Sequence, residues 1–147
     1  MITFDELNAQ NHQITELSNV LLYLFKERSM CDTDTACSLF FSYMDKVRDH
    51  LGAVDQLYTT LLQDQSQDVH KVANNFMSGE QEIKKIMARY SKDWCDKKKR
   101  AVVIADHQRF LKDTREVFDM ILSRIQDETE KLYPLVRELR GDSKFAA

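Results

Sequence analysis

Apolar residues recur along this chain at intervals of three and four, and four long stretches of that spacing follow one another with no repeat or low-complexity tract between them. The first carries Leu7, Ile14, Leu17, Leu21 and Phe25 on one face, opens with Thr3 and Glu6 spaced as a capping box, and ends near Arg28. A loop through Ser29, Met30, Cys31 and Asp32 separates it from a second helix, which begins near Thr33 or Thr35 and runs to about Gln63. Cys37, Phe40, Met44, Val47, Leu51, Val54, Tyr58 and Leu61 form its inner face. The third helix spans Gln67 to Trp94 with Val69, Val72, Phe76, Ile83, Met87, Tyr90 and Trp94 inward. Ser78 and Gln81 repeat a capping-box spacing around Gly79, a weak point that leaves two readings: an unbroken helix with Glu80 a core-facing acid, or a break or kink that makes Glu80 an ordinary first-turn carboxylate. The basic run Lys97 to Arg100 reads as the turn into a fourth helix over residues 100–140. That helix carries Val103, Phe110, Val117, Ile121, Ile125, Leu132 and Leu139, and Pro134 kinks or ends its last turns. Residues 141–147 read as a flexible tail.

Helix breakers are scarce, 3 Gly and 1 Pro in 147 residues, so nothing interrupts these stretches more than locally. Short connections between long consecutive helices favour antiparallel neighbours. The fold expected is therefore all-α, a single antiparallel up-down-up-down four-helix bundle over residues 1–147. A formal net charge of -3 provides no positive field to gather nucleic acid or an anionic membrane. The longest apolar run, Val20 to Phe25, is far too short to span a bilayer, and the N-terminal Met1 to Glu6 lacks the basic region of a signal peptide. A cytoplasmic location is the expectation. Cys31, Cys37 and Cys95 are odd in number and include no zinc-type pair, which fits reduced thiols that act as buried small hydrophobes, the alternative being an exposed, redox-active Cys31 in the loop. Neither a glycine-rich phosphate loop nor a nucleophile elbow is present, so catalysis is not expected outside a metal site. A protein partner or self-association remains open.

Function turns on which polar residues face inward. At about 100° per residue, His107 aligns with Phe110 and Ile121, His50 and His70 flank their apolar stripes, and His12 faces solvent. The same construction sets Asp55, Glu80 and Glu128 within apolar faces, where an unpaired charge is costly and a partner is required. Folding the chain about its turns brings the segments Asn8 to His12, His50 to Asp55, His70 to Asn75 and Arg124 to Glu128 to one height. A polar layer drawn from four helices is built either as an imidazole-carboxylate metal site or as a hydrogen-bonded salt-bridge network.

Asn11-His12-Gln13-Ile14, His50-Leu51 through Asp55-Gln56-Leu57-Tyr58, His70, and Arg124 through Glu128 followed by Leu132-Tyr133-Pro134-Leu135 together resemble the hemerythrin-like, or HHE, cation-binding family. The resemblance covers the whole chain in order and implies a hemerythrin-type bundle with mono- or di-iron bound for iron or dioxygen sensing or storage. Its ligands would be drawn from His50, His70, Glu128, Asp55 and His12. In that family a helical His is followed four residues later by Glu; here that position is Val54. The fourth-helix position of a His holds Arg124, and Asn74 stands four residues after His70. A guanidinium is permanently cationic and donates in a fixed fork, so Arg124 is expected to replace the metal charge in a network with Asp55 and Glu128. The alternative function is then a metal-free interaction or regulatory module.

Overall fold

In a computed structural model, described over residues 2–141, the chain is all-α apart from one short hairpin. Gly141 excepted, the tail expected over 141–147 lies outside the described residues. Helix α1 spans Phe4–Phe25, α2 Arg28–Cys31, α3 Asp34–Gln63 and α4 Gln67–Trp94. Strands β1 (Cys95–Asp96) and β2 (Ala101–Val102) form an antiparallel hairpin, followed by α5 (His107–Asp127), a π-helical turn (Glu128–Leu132) and α6 (Tyr133–Leu139). The four long helices close a ring of contacts: α1 lies against α3 and α5, and α4 against α3 and α5.

Local chemistry explains the helix starts. The Thr3 hydroxyl accepts the Glu6 amide while the Glu6 carboxylate accepts the Thr3 amide, completing the expected capping box. Thr33, Ser66 and Asp106 cap α3, α4 and α5 in the same way through their side-chain oxygens.

Three boundaries differ from expectation, and one open reading is resolved. Helix α1 ends at Phe25 because the chain turns to bury Cys31, whose thiol donates to the Phe25 carbonyl, and Arg28–Cys31 forms its own helical turn. Helix α4 does not break at Gly79; it runs unbroken, with Glu80 buried at 3% exposure rather than lying in a first turn. The Lys97 to Arg100 run is a turn, as expected, but it closes a hairpin and does not lead directly into the fourth helix. Four cations would oppose the dipole of a helix N-terminus, whereas here the Asp96 carboxylate accepts the Lys98 and Lys99 amides and folds the turn. The fourth helix therefore begins at His107, and Val103 is exposed outside it.

Pro134 has a local cause and a distant effect. Its missing amide and bulky ring cannot continue an α-helical turn, and the preceding turn widens so that the Tyr133 amide donates to the Glu128 carbonyl. Residues five apart in an α-helix point about 140° apart. The widened turn reduces that angle and brings Tyr133 onto the same inner face as Glu128, where both are buried.

The core is divided. One apolar cluster gathers Ile14, Leu21, Phe25, Phe40, Tyr43, Phe110 and Phe118 toward the hairpin end. A second gathers Leu7, Val54, Leu57, Leu61, Phe76, Leu132 and Val136 toward the opposite end. Between them each long helix buries a polar side chain: Asn11 on α1, His50 on α3, Glu80 on α4 and Arg124 on α5, with Glu128 at the π-turn.

Candidate functional site

That polar layer is the candidate site. At its centre lies Glu128, completely buried and paired on both sides. Its Oε2 accepts from Arg124 Nε at 3.0 Å, while Oε1 accepts from His50 Nε2 at 2.7 Å and from the Tyr133 hydroxyl at 3.3 Å. The i, i+4 spacing of Arg124 and Glu128 sets them on one face, and the π-turn adds Tyr133 beneath them.

Arg124 ties three elements together. Besides Glu128, it donates from Nη1 to the Phe76 carbonyl at 2.9 Å and from Nη2 to the Tyr58 hydroxyl, and its guanidinium stacks 4.8 Å from the Phe76 ring centre. This use of a rigid fork against several acceptors is specific to Arg and unavailable to Lys. Gly79 makes the approach possible, since a Cβ there would stand 3.2 Å from Arg124 Nη1. The mid-helix glycine that reads as a weak point is thus the clearance for the guanidinium.

His50 is engaged at both ring nitrogens, with Nδ1 2.7 Å from the Gln10 side-chain amide oxygen. Whether the ring donates twice or meets a rotated Gln10 amide, no lone pair is left free for a metal. Asn11 donates from Nδ2 to the Tyr133 hydroxyl at 3.2 Å, and its Oδ1 is buried without a partner.

Glu80 completes the layer from α4. Burial, a hydrogen bond with the Asp55 carboxylate and that carboxylate's charge push its carboxyl up to about 7. Lys84 stands 3.7 Å away, and Glu80 Oε1 is otherwise unpartnered. A proton held on Glu80 removes the repulsion between the two carboxylates.

The other residues singled out from the sequence lie elsewhere. Asp55 is exposed and joins Glu80, not Arg124, so the expected Arg124-Asp55-Glu128 network is corrected to Arg124-Glu128-His50 with Tyr58 and Tyr133. The helical phase explains this, because Val54 takes the buried position four residues after His50 and Asp55 turns about 100° away. His70 sits in the first turn of α4, its Nε2 donating to the Asp64 carbonyl. Six residues along a helix is about 9 Å, so His70 stands well above Phe76 and α4 offers Glu80 and a backbone carbonyl instead. His12 is exposed and pairs with Glu16 at 3.2 Å. His107 is half-buried and donates from Nε2 to the Phe25 carbonyl at 2.7 Å. Cys31 and Cys37 are buried as small hydrophobes, which sets aside the alternative of an exposed Cys31, and burial raises the Cys31 pKa; Cys95 is raised by burial to about 11.

Donor chemistry decides how well this layer fits a metal. His50 and Glu128 are its only facing imidazole and carboxylate with direct contact, both are saturated, and a guanidinium touches the carboxylate. Among the described residues no three His, Cys, Asp or Glu side chains gather as a metal-holding group. These residues do not fit an iron centre, which needs more imidazole and bridging carboxylate with free lone pairs. Among the described residues, no helix is long and apolar enough to cross a membrane.

Tyr58, Tyr133, Gln10 and the Phe76 carbonyl enter the site without having been singled out for it. Tyr58 was legible as an inward residue two turns from His50, but Tyr133 depends on the π-turn and Gln10 on the packing of α1 against α3. Compared with models of known families, with curated proteins and with solved structures, the chain matches none.

Proposed function

We propose that this chain is an antiparallel up-down-up-down bundle of hemerythrin type in which Arg124 stands where the resembled family holds its metal. On this reading the chain acts as a metal-free interaction or regulatory module. The observation that carries the reading is the Arg124 guanidinium bonded to Glu128 within a layer contributed by all four long helices. A fixed internal cation does the electrostatic work of a metal ion, neutralising the buried carboxylate, but offers no open coordination position and no redox change. Such a layer holds the helices in register, and activity would reside on the surface.

Elemental analysis of protein purified without an affinity tag, followed by anaerobic addition of ferrous iron and near-ultraviolet absorbance, tests this reading. The expected result is no stoichiometric iron and no ligand-to-metal band. Stoichiometric iron lost in both His50→Ala and Glu128→Ala would overturn it.

A further inference from the structure

A cleft of about 390 Å³ lies where α3 and α4 meet the hairpin. Phe41, Met44, Leu51 and Met87 furnish apolar walls, and Arg48, Lys84, Lys97 and Arg100 stand around them with Asp45 as the single carboxylate lining it. Four cations against one anion is a local reversal in a chain of formal charge -3. Lys84 lies near Glu80, Arg48 and Arg100 share Asp45, and Lys97 has no ion-pair partner among the described residues.

Arg100 is the sharper observation. Among the described residues it is the one non-glycine residue with positive φ, 49°, at the hairpin tip, a conformation that glycine adopts without strain and arginine does not. The strained backbone turns its side chain back over the cleft, where the guanidinium lies 4.8 Å from the Phe41 ring centre and 3.1 Å from Asp45. A closing residue chosen for turn geometry alone would be Gly or Asn; the arginine supplies a cation above an apolar floor. The other large cleft, about 660 Å³ along α4 and α5, lacks this imbalance, since Glu82 and Asp127 offset Lys131 and an already saturated Arg124.

We infer that the cleft between α3, α4 and the hairpin binds a free amphiphilic monoanion, a carboxylate on a short apolar chain. The chain lies against Met44, Leu51 and Met87, and the head meets Lys97 and Arg100. The volume lies at the small end of ligand pockets, which suits a short chain such as that of decanoate. A small concave cleft takes one free molecule and offers no extended face to a membrane. The inference is independent of the reading of the polar layer.

Isothermal titration of the full chain with decanoate, decanol and acetate tests it, alongside sedimentation with anionic phospholipid vesicles. Decanoate should bind at least tenfold more tightly than either decanol, which lacks the charge, or acetate, which lacks the chain. Ala88→Trp, at an exposed position lining the cleft, should abolish binding by filling it. Lys97→Glu with Arg48→Glu should weaken it about tenfold through lost and reversed surface charge. Arg100→Gly should weaken binding while leaving the thermal midpoint unchanged or higher, because glycine relieves the backbone strain. Equal affinity for decanol and decanoate, binding that survives Ala88→Trp, or uptake by vesicles without binding of decanoate would each overturn the inference.

Discussion

Replacing Arg124 by Met keeps most of the side-chain volume and removes only the guanidinium, so it isolates the charge at the centre of the layer. Glu128 is 0% exposed and would retain only His50 and Tyr133, while the buried Tyr58 hydroxyl would lose its donor. Breaking one side of a buried ion pair costs about 3–5 kcal/mol, because the remaining charge is left uncompensated. That is a large part of the roughly 5–15 kcal/mol that holds such a domain folded. For a chain of this length it corresponds to a fall in Tm of about 6–20 °C. Urea unfolding followed by circular dichroism measures the loss, and adding Glu128→Gln provides the control. With the carboxylate neutralised, the double variant should recover about 1 kcal/mol or more relative to Arg124→Met alone, a coupling that independent sites do not show. If Arg124→Met costs under about 1 kcal/mol, or if Glu128→Gln only adds to the damage, the guanidinium does not neutralise Glu128 and the substitution of a cation for a metal fails.

Further expectations follow from the same layer. Gly79→Ala should be neutral or slightly destabilising, because its Cβ meets Arg124 Nη1 at 3.2 Å, yet stabilise the Arg124→Met background by up to about 1 kcal/mol once that atom is gone; equal effects in both backgrounds in urea unfolding would refute the clearance role. Glu80, raised by burial and Asp55 from 4.5 to about 7, contributes stability that is fully present below about 4.5 and lost as the pH rises through about 7. Stability should therefore fall by roughly 2–3 kcal/mol between pH 5 and pH 8 at this group, and Glu80→Gln should flatten that slope; an unchanged slope in the variant refutes the assignment. Tyr133→Phe removes a hydroxyl that donates to Glu128 and accepts from Asn11, and should cost about 1–3 kcal/mol in the same assay. Thiol titration at pH 8 should find all three cysteines slow in the folded chain, Cys95 being pushed to about 11 and Cys31 buried, and fast after unfolding.

The sequence by itself determined the helical class, the boundaries of α3 and α4 to within a residue, and the inward faces, because period-3.6 burial and side-chain caps are local properties written in neighbouring residues. It also determined that a polar layer would cross the core near His50, Arg124 and Glu128, since a charge on an apolar face must find a partner. Which partner it finds is not local. Asp55 misses the Arg124–Glu128 pair by a rotation of about 100° and joins Glu80 instead, and His70 lies about 9 Å along α4 from Phe76, both set by how α3 and α4 seat against α5. Gly79 reads as a weak point because glycine is a poor helix former; the helix runs through it, and the missing Cβ leaves room for Arg124. Pro134 announced a disturbance, but whether it would kink, end or widen the helix was settled by the burial of Tyr133 beside Glu128. The tertiary structure alone also made the turn at the basic run a hairpin, with Arg100 bent over an apolar cleft, because that geometry depends on Phe41 and Asp45 more than fifty residues earlier in the chain.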